Sequence, residues 1–216
     1  ERWKPALRDV TWMRVSNPAE WWTYTLDDVR IDDQNVELEN SLYFCPRPAQ
    51  RLDTLSRFKL ETYVDDLRPD GATYHDIGMI WGARFIAPNG IFSADNASAP
   101  NGDEISRHIV FLTDGELAPN ERVYTPYGTH WWDRRIHDGT DNNQVTANHA
   151  ARFQAACRAA RNENISVWVV AFGTALTQNL IDCATSGRAY SAEDSEALDD
   201  AFREIAQKIA RLRITE

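Results

Sequence analysis

The chain has 216 residues, with 23 Lys and Arg against 33 Asp and Glu, and a net charge of −10. That length suits one large α/β domain, alone or with an extension, and a substantial core. The acidic balance argues against nucleic acid and anionic membrane surfaces as main partners, since either wants clustered Lys and Arg. No apolar run of about eighteen residues occurs, so no segment reads as a membrane span. No signal peptide is visible, and a chain opening at Glu1 rather than Met is expected to be a processed or trimmed product with any anchor upstream.

Residues 1–41 read as an irregular N-terminal extension. Trp3, Trp12, Trp21, Trp22 and Tyr24 are interspersed with Pro5, Asn17-Pro18 and the acids Asp27, Asp28, Asp32 and Asp33. The tryptophans suit packing better than a sugar platform. Leu42 to Cys45 form a short strand candidate before Pro46. Residues 52–67 place Leu52, Leu55, Leu60, Tyr63, Val64 and Leu67 near helical spacing, with Asp53 or Thr54 as cap. Pro69-Asp70-Gly71 breaks the chain. Residues 73–87 read as a second helix, with Thr73 at its start and Ile77, Ile80, Trp81 and Phe85 on one stripe. Residues 91–105 read as loop.

His108 to Thr113 is an apolar run rich in β-branched and aromatic residues, predicted to be a fully buried strand ending in Asp114-Gly115-Glu116. Gly115 permits a sharp exit there. In open α/β sheets, ligands bind outside the carboxyl ends of the strands. Asp114 therefore either offers a hard oxygen to a divalent cation or caps the next turn. The polar and aromatic segment 117–145 is long enough to suggest a functional loop. Its His130, Trp131, Trp132, Asp133, Arg134, Arg135 and His137 form either a partner or glycan surface or a cover over the sheet edge.

A helix over 146–161 turns Ala150, Phe153, Cys157 and Ala160 inward, and residues 165–173 form a second buried strand. A short helix near 175–185 and a minor strand near Ala189-Tyr190 follow. Ser191 with Asp194 opens the last helix in a capping-box-like start, with Leu198, Phe202, Ile205, Ile209 and Leu212 as its stripe. Acids in its first turns and bases at its end complement the helix dipole. The alternation from residue 73 onward predicts right-handed crossovers and a mainly parallel sheet. Of Cys45, Cys157 and Cys183, none has metal-ligand spacing. Cys157 and Cys183 are either a disulfide or two buried thiols, and Cys45 has no obvious mate.

Gly71-Ala72-Thr73-Tyr74-His75-Asp76-Ile77-Gly78 with His108 through Gly115, followed by Tyr124-Thr125-Pro126-Tyr127-Gly128, His149-Ala150-Ala151-Arg152-Phe153, Cys183-Ala184 and the tail from Ala201 to Ile214, resembles the carboxyl-terminal part of the von Willebrand factor A-like domain of TadG-like Tad pilus-assembly proteins. The resemblance spans residues 42–216. It implies a doubly wound, Rossmann-like α/β fold carrying a metal-ion-dependent adhesion site. Thr73 and Asp114 match its second and third metal-binding loops, with Gly115, Glu116 and His75 beside the partner. The first loop, Asp-x-Ser-x-Ser after a leading strand, is missing. Asp53-Thr54-Leu55-Ser56 and Asp95-Asn96-Ala97-Ser98 come nearest without fitting. The fold in this chain is thus expected to be incomplete, the leading strand lying on another segment of the same precursor.

The resemblance further implies a non-enzymatic adhesion module of a bacterial pilus or cell-surface assembly, outside the cytoplasm. A divalent cation, Mg²⁺ or alternatively Mn²⁺ or Ca²⁺, would join it to a carboxylate on a protein partner. The alternatives are a metal-dependent hydrolase using Thr73, His75 and Asp114, and a Trp-rich glycan-binding module. A zinc hydrolase would want further ligands three or four residues after His75, where Gly78 and Met79 stand. Neither Gly-x-Ser-x-Gly nor Gly-x-x-x-x-Gly-Lys occurs. His108 suits a hydrogen-bonded edge histidine.

Overall fold

The computed structural model describes residues 10–12, 30–32, 48–50, 54–67, 72–96, 98–99, 102–119, 124–130, 134–137 and 141–212. The strand expected at 42–45, Cys45, Trp3, Trp21, Trp22, Tyr24, Asp53, Gly71, Trp131, Trp132 and Asp133 lie outside the described residues, as does the side chain of Trp12. In chain order the elements are β1 (Val10–Trp12), β2 (Arg30–Asp32), α1 (Arg57–Asp65), α2 (His75–Ile86), α3 (Ser93–Asn96), β3 (His108–Thr113), β4 (Tyr124–Thr125), β5 (Gly128–Thr129), α4 (Asn142–Asn162), β6 (Ser166–Phe172), α5 (Gln178–Cys183), β7 (Ala189–Ala192) and α6 (Ser195–Leu212). No helix among the described residues is long and apolar enough to cross a membrane. The chain divides into two compact units, Glu1–Ala72 with Pro119–Asn148, and Thr73–Ala118 with His149–Glu216.

In the first unit β1 pairs antiparallel with β2, and β4 with β5, the latter inside the segment read as one long loop. Helix α1 starts at Ser56, whose hydroxyl accepts from the Lys59 N–H at 3.4 Å, not at Asp53 or Thr54. Its expected apolar stripe is not buried: Leu60, Val64 and Leu67 are all exposed.

The second unit is mixed α/β, with a three-stranded, all-parallel sheet in the order β3-β6-β7, flanked by helices. Strand β6 is central, and Val167 through Ala171 are buried, as a near-continuous apolar run in a parallel sheet should be. Its alternate side chains enter two separate clusters. Val167, Val169 and Ala171 join Met79 of α2, Phe153, Cys157 and Ala160 of α4, and Leu180 of α5. Trp168 and Val170 join Ala192 and Ile205, with Leu198 and Ile209 of α6 packed around them. Each fully buried large aliphatic side chain stabilises by about 1.5–3 kcal/mol, so both clusters hold β6 in place.

The predicted 108–113 strand is β3, but it is not buried on both sides. Ile109 and Thr113 face the covered side, while Val110 and Leu112 remain 38% and 47% exposed. Among the described residues β3 pairs with a strand on one side alone, β6, in register from His108↔Ser166 to Thr113↔Ala171. His108 is satisfied at this edge: its Nδ1 accepts from the Trp168 Nε1–H at 3.2 Å, and its Nε2 lies 2.9 Å from Ser106 Oγ.

Helix α2 turns a different face inward from the one expected. Met79, Ala83 and Ile86 reach the core, and Ile77, Ile80, Trp81 and Phe85 are half-buried. Gly78 and Gly82 face β3; a Cβ on either would come within 3.6 Å of Phe111 or Ile109. Helix α6 is capped by Asp194, which accepts from the Ala197 N–H at 2.8 Å, whereas Ser191 belongs to β7. Cys157 of α4 and Cys183 at the end of α5 form a fully buried disulfide with Cα atoms 5.1 Å apart, which decides between the two readings left open by the sequence.

Candidate functional site

The carboxyl end of β3 is closed by Thr113. Its buried hydroxyl donates to the Gly115 carbonyl at 2.9 Å and accepts from the Gly115 N–H at 3.3 Å, a side-chain turn of the kind threonine favours. Gly115 is not among the glycines with positive φ, so the exit is not made by left-handed backbone, as a Gly at that place had suggested. Its place is near Thr73 instead: a Cβ on Gly115 would lie 3.8 Å from Thr73 Oγ1.

Thr73 does not cap α2; the cap position is Tyr74, with no side-chain hydrogen bond. Thr73 forms an isolated antiparallel bridge with Ala118, the Thr73 N–H donating to the Ala118 carbonyl at 3.2 Å and the Ala118 N–H returning to Thr73 at 3.1 Å. The loop after β3 is therefore held at Gly115 by Thr113 and at Ala118 by Thr73. Asp114, inside the Thr113–Gly115 turn, and Glu116, between the two fastenings, are exposed.

His75 lies beneath this rim and is 5% exposed. Its ring is held edge-on to Phe111 at 5.5 Å and tilted against Phe153 at 5.4 Å. Nε2 stands 3.2 Å from both the Gly115 carbonyl and Thr113 Oγ1. A carbonyl can only accept, so Nε2 carries the proton. In the neutral ring Nδ1 is then a buried acceptor, and no hydrogen-bond partner meets it.

Burial pushes His75 below the ordinary imidazole value of 6.5, against the opposing pull of the Gly115 carbonyl and the Asp76 charge. Unfolded, the ring takes up its proton near 6.5; folded, it does so at lower pH. The unfolded chain therefore binds more protons between those values, and stability falls as pH drops from about 6.5 through the folded value. Urea unfolding at about pH 7.5 and about pH 5 should show a larger acid loss for wild type than for His75→Gln, which does not titrate. Equal losses would contradict this.

A second polar group lies deeper. Asp76 is fully buried, and its Oδ2 accepts from the His149 Nδ1–H at 2.9 Å, with Arg152 Nε at 3.6 Å. Its Oδ1 has no hydrogen-bond partner. Tyr74 packs edge-on to His149 at 5.1 Å. This cluster ties the start of α2 to α4. Asp76, His149, Arg152 and Thr113 carry no role in the sequence reading. One signal was present: His149 and Arg152 are three apart on a helix, hence on one face.

Thr73 and Asp114 are hard oxygen donors of the type that divalent cations such as Mg²⁺ take. Two donors are fewer than the roughly six that Mg²⁺ requires. Among the described residues no group of three or more His, Cys, Asp or Glu is arranged to hold a metal. The donor chemistry fits and the donor number does not suffice alone, so water and a partner would have to supply the rest. No protein-family model, curated protein or solved structure matches the chain.

Proposed function

We propose that the second unit is a von Willebrand factor A-like interaction module of a Tad-type pilus or cell-surface assembly, acting outside the cytoplasm by non-enzymatic binding. The reading makes its fold the doubly wound, Rossmann-like one of that family. The observation that carries it is the Thr73 hydroxyl beside Gly115 at the carboxyl end of β3, where open α/β sheets place their ligands. Asp114 follows β3 directly and is exposed, so its carboxylate is available to a partner. Among the described residues β3 pairs with a strand along one edge alone, which is consistent with a leading strand supplied along the other edge by another segment. A buried disulfide supports an oxidising compartment.

In this reading Thr73 and Asp114 contribute two oxygens, and a carboxylate from a protein partner contributes a third. A divalent cation held there supplies the positive charge that offsets desolvation of two facing carboxylates. Gly115 leaves room beside the Thr73 hydroxyl, and Glu116 borders the contact. The fastened loop keeps Asp114 in place before the partner arrives, which lowers the ordering cost of binding.

Titration calorimetry with Mn²⁺, alone and in the presence of a synthetic Glu-rich peptide, tests this. Binding of ion and peptide should be mutually reinforcing, by about fivefold or more, because linkage is reciprocal. Asp114→Ala should abolish the coupling and leave the unfolding midpoint unchanged, as Asp114 is exposed. Peptide binding that is indifferent to Mn²⁺ and to Asp114→Ala would refute the cation-bridged mechanism.

A further inference from the structure

We infer that His75 is a positioning residue for the rim: its Nε2–H, through the Gly115 carbonyl, sets where Asp114 is presented. This rests on the proposed role of Asp114, but its structural half stands by itself. The ring sits against Phe111 and Phe153, surroundings that a phenylalanine would fill without leaving a nitrogen unmatched. Instead a histidine occupies them with Nδ1 buried and without a hydrogen-bond partner, an arrangement that costs stability. The hydrogen bonds this ring makes are at Nε2, to the Gly115 carbonyl and Thr113 Oγ1 at 3.2 Å each.

The geometry makes a strap. His75 opens α2, two residues after Thr73, and Thr113 closes β3, one residue before Asp114. The Gly115 carbonyl accepts from both His75 and Thr113. The two predicted cation ligands therefore come from segments joined by this imidazole at Gly115 and by the Thr73–Ala118 bridge further along the loop. A polar residue kept at a local cost is expected where it serves a site rather than the core. Thr113 alone can close the turn, and Thr73 itself holds the loop at Ala118; His75 adds a link at Gly115, the residue next to Asp114.

Two variants separate the strap from simple packing. His75→Phe keeps the ring and removes the donor. His75→Gln restores an N–H near the Nε2 position. Amide hydrogen exchange and Mn²⁺-induced line broadening are read for each variant on the whole chain. In His75→Phe, exchange at the Gly115 amide should rise by about fivefold, while β6 amides and the unfolding midpoint stay at or above wild type. Mn²⁺ broadening at Thr73 and Asp114 should weaken, and His75→Gln should recover both signals.

Unchanged Gly115 exchange in His75→Phe would overturn the inference, as would a rise spread evenly over β6. If wild type shows no Mn²⁺ broadening while His75→Phe still frees Gly115 and His75→Gln restores it, the strap stands and the cation reading fails. The two failures are thereby distinguishable.

Discussion

Replacing Cys157 and Cys183 together by alanine is expected to lower the unfolding free energy by about 4 kcal/mol. The two cysteines are 26 residues apart and join α4 to α5. Closing a loop of that length removes chain entropy from the unfolded state worth about 3.5 kcal/mol at room temperature. Both positions are fully buried within the cluster built on Met79, Phe153 and Val169, so loss of the sulfurs adds a packing cost. A total near 4 kcal/mol is a large fraction of the roughly 5–15 kcal/mol that holds most domains together. Urea unfolding of wild type and the double variant measures the difference. Alkylation under denaturing conditions without reductant should leave Cys157 and Cys183 unmodified in wild type. A double variant as stable as wild type would show that the bridge does not hold α5 against the sheet.

Asp76→Ala is expected to cost about 3 kcal/mol, for a different reason. The side chain is fully buried and is the acceptor for His149 Nδ1, with Arg152 Nε nearby. Its removal leaves the buried His149 N–H without that acceptor and opens a small void at the start of α2. Asp76→Asn should cost less, since its amide oxygen can still accept from His149. Arg152→Ala should cost least, because the Arg152 side chain is 43% exposed and its contact with Asp76 is 3.6 Å, and solvent screens such a pair. Thermal or chemical unfolding of the three variants checks the order. If Arg152→Ala equals Asp76→Ala, the charge pair rather than the buried hydrogen bond dominates. If Asp76→Ala is neutral, the cluster does not brace α2 at all.

Much of the sheet was legible in the residues themselves. Val167 to Phe172 is apolar on both alternations, and β6 is buried on both faces. The same reasoning misjudged β3: an apolar run does not reveal whether both of its faces are covered, and Val110 and Leu112 show that here one is bare. The inward face of α2 was misread because large apolar residues were given the core, whereas Gly78 and Gly82 lie against β3 and the bulkier Ile80, Trp81 and Phe85 fall to the flanks. At α6 the stripe holds at Leu198, Ile205 and Ile209, but Phe202 is 39% exposed and Ala201 takes the buried place.

The rim was partly legible. Thr73 and Asp114 could be named from their positions at a helix start and a strand end, and Thr73 does lie beside the loop that carries Asp114. The fastening of that loop could not be read, because it depends on His75 and Thr113 meeting across 38 residues of sequence. The Asp76–His149 contact spans 73 residues and has no local pattern. His75 is buried beneath Gly115, whereas Asp114 and Glu116 are exposed.

The central claim is that Thr73 and Asp114 act as one cation-holding rim. The most direct measurement is Mn²⁺ titration followed residue by residue through amide line broadening. Broadening that starts at Thr73, Asp114 and Gly115 at low Mn²⁺, is reversed by EDTA and vanishes in Asp114→Ala would agree with the account. Broadening scattered over the exposed acids of α6, or unchanged in Asp114→Ala, would contradict it.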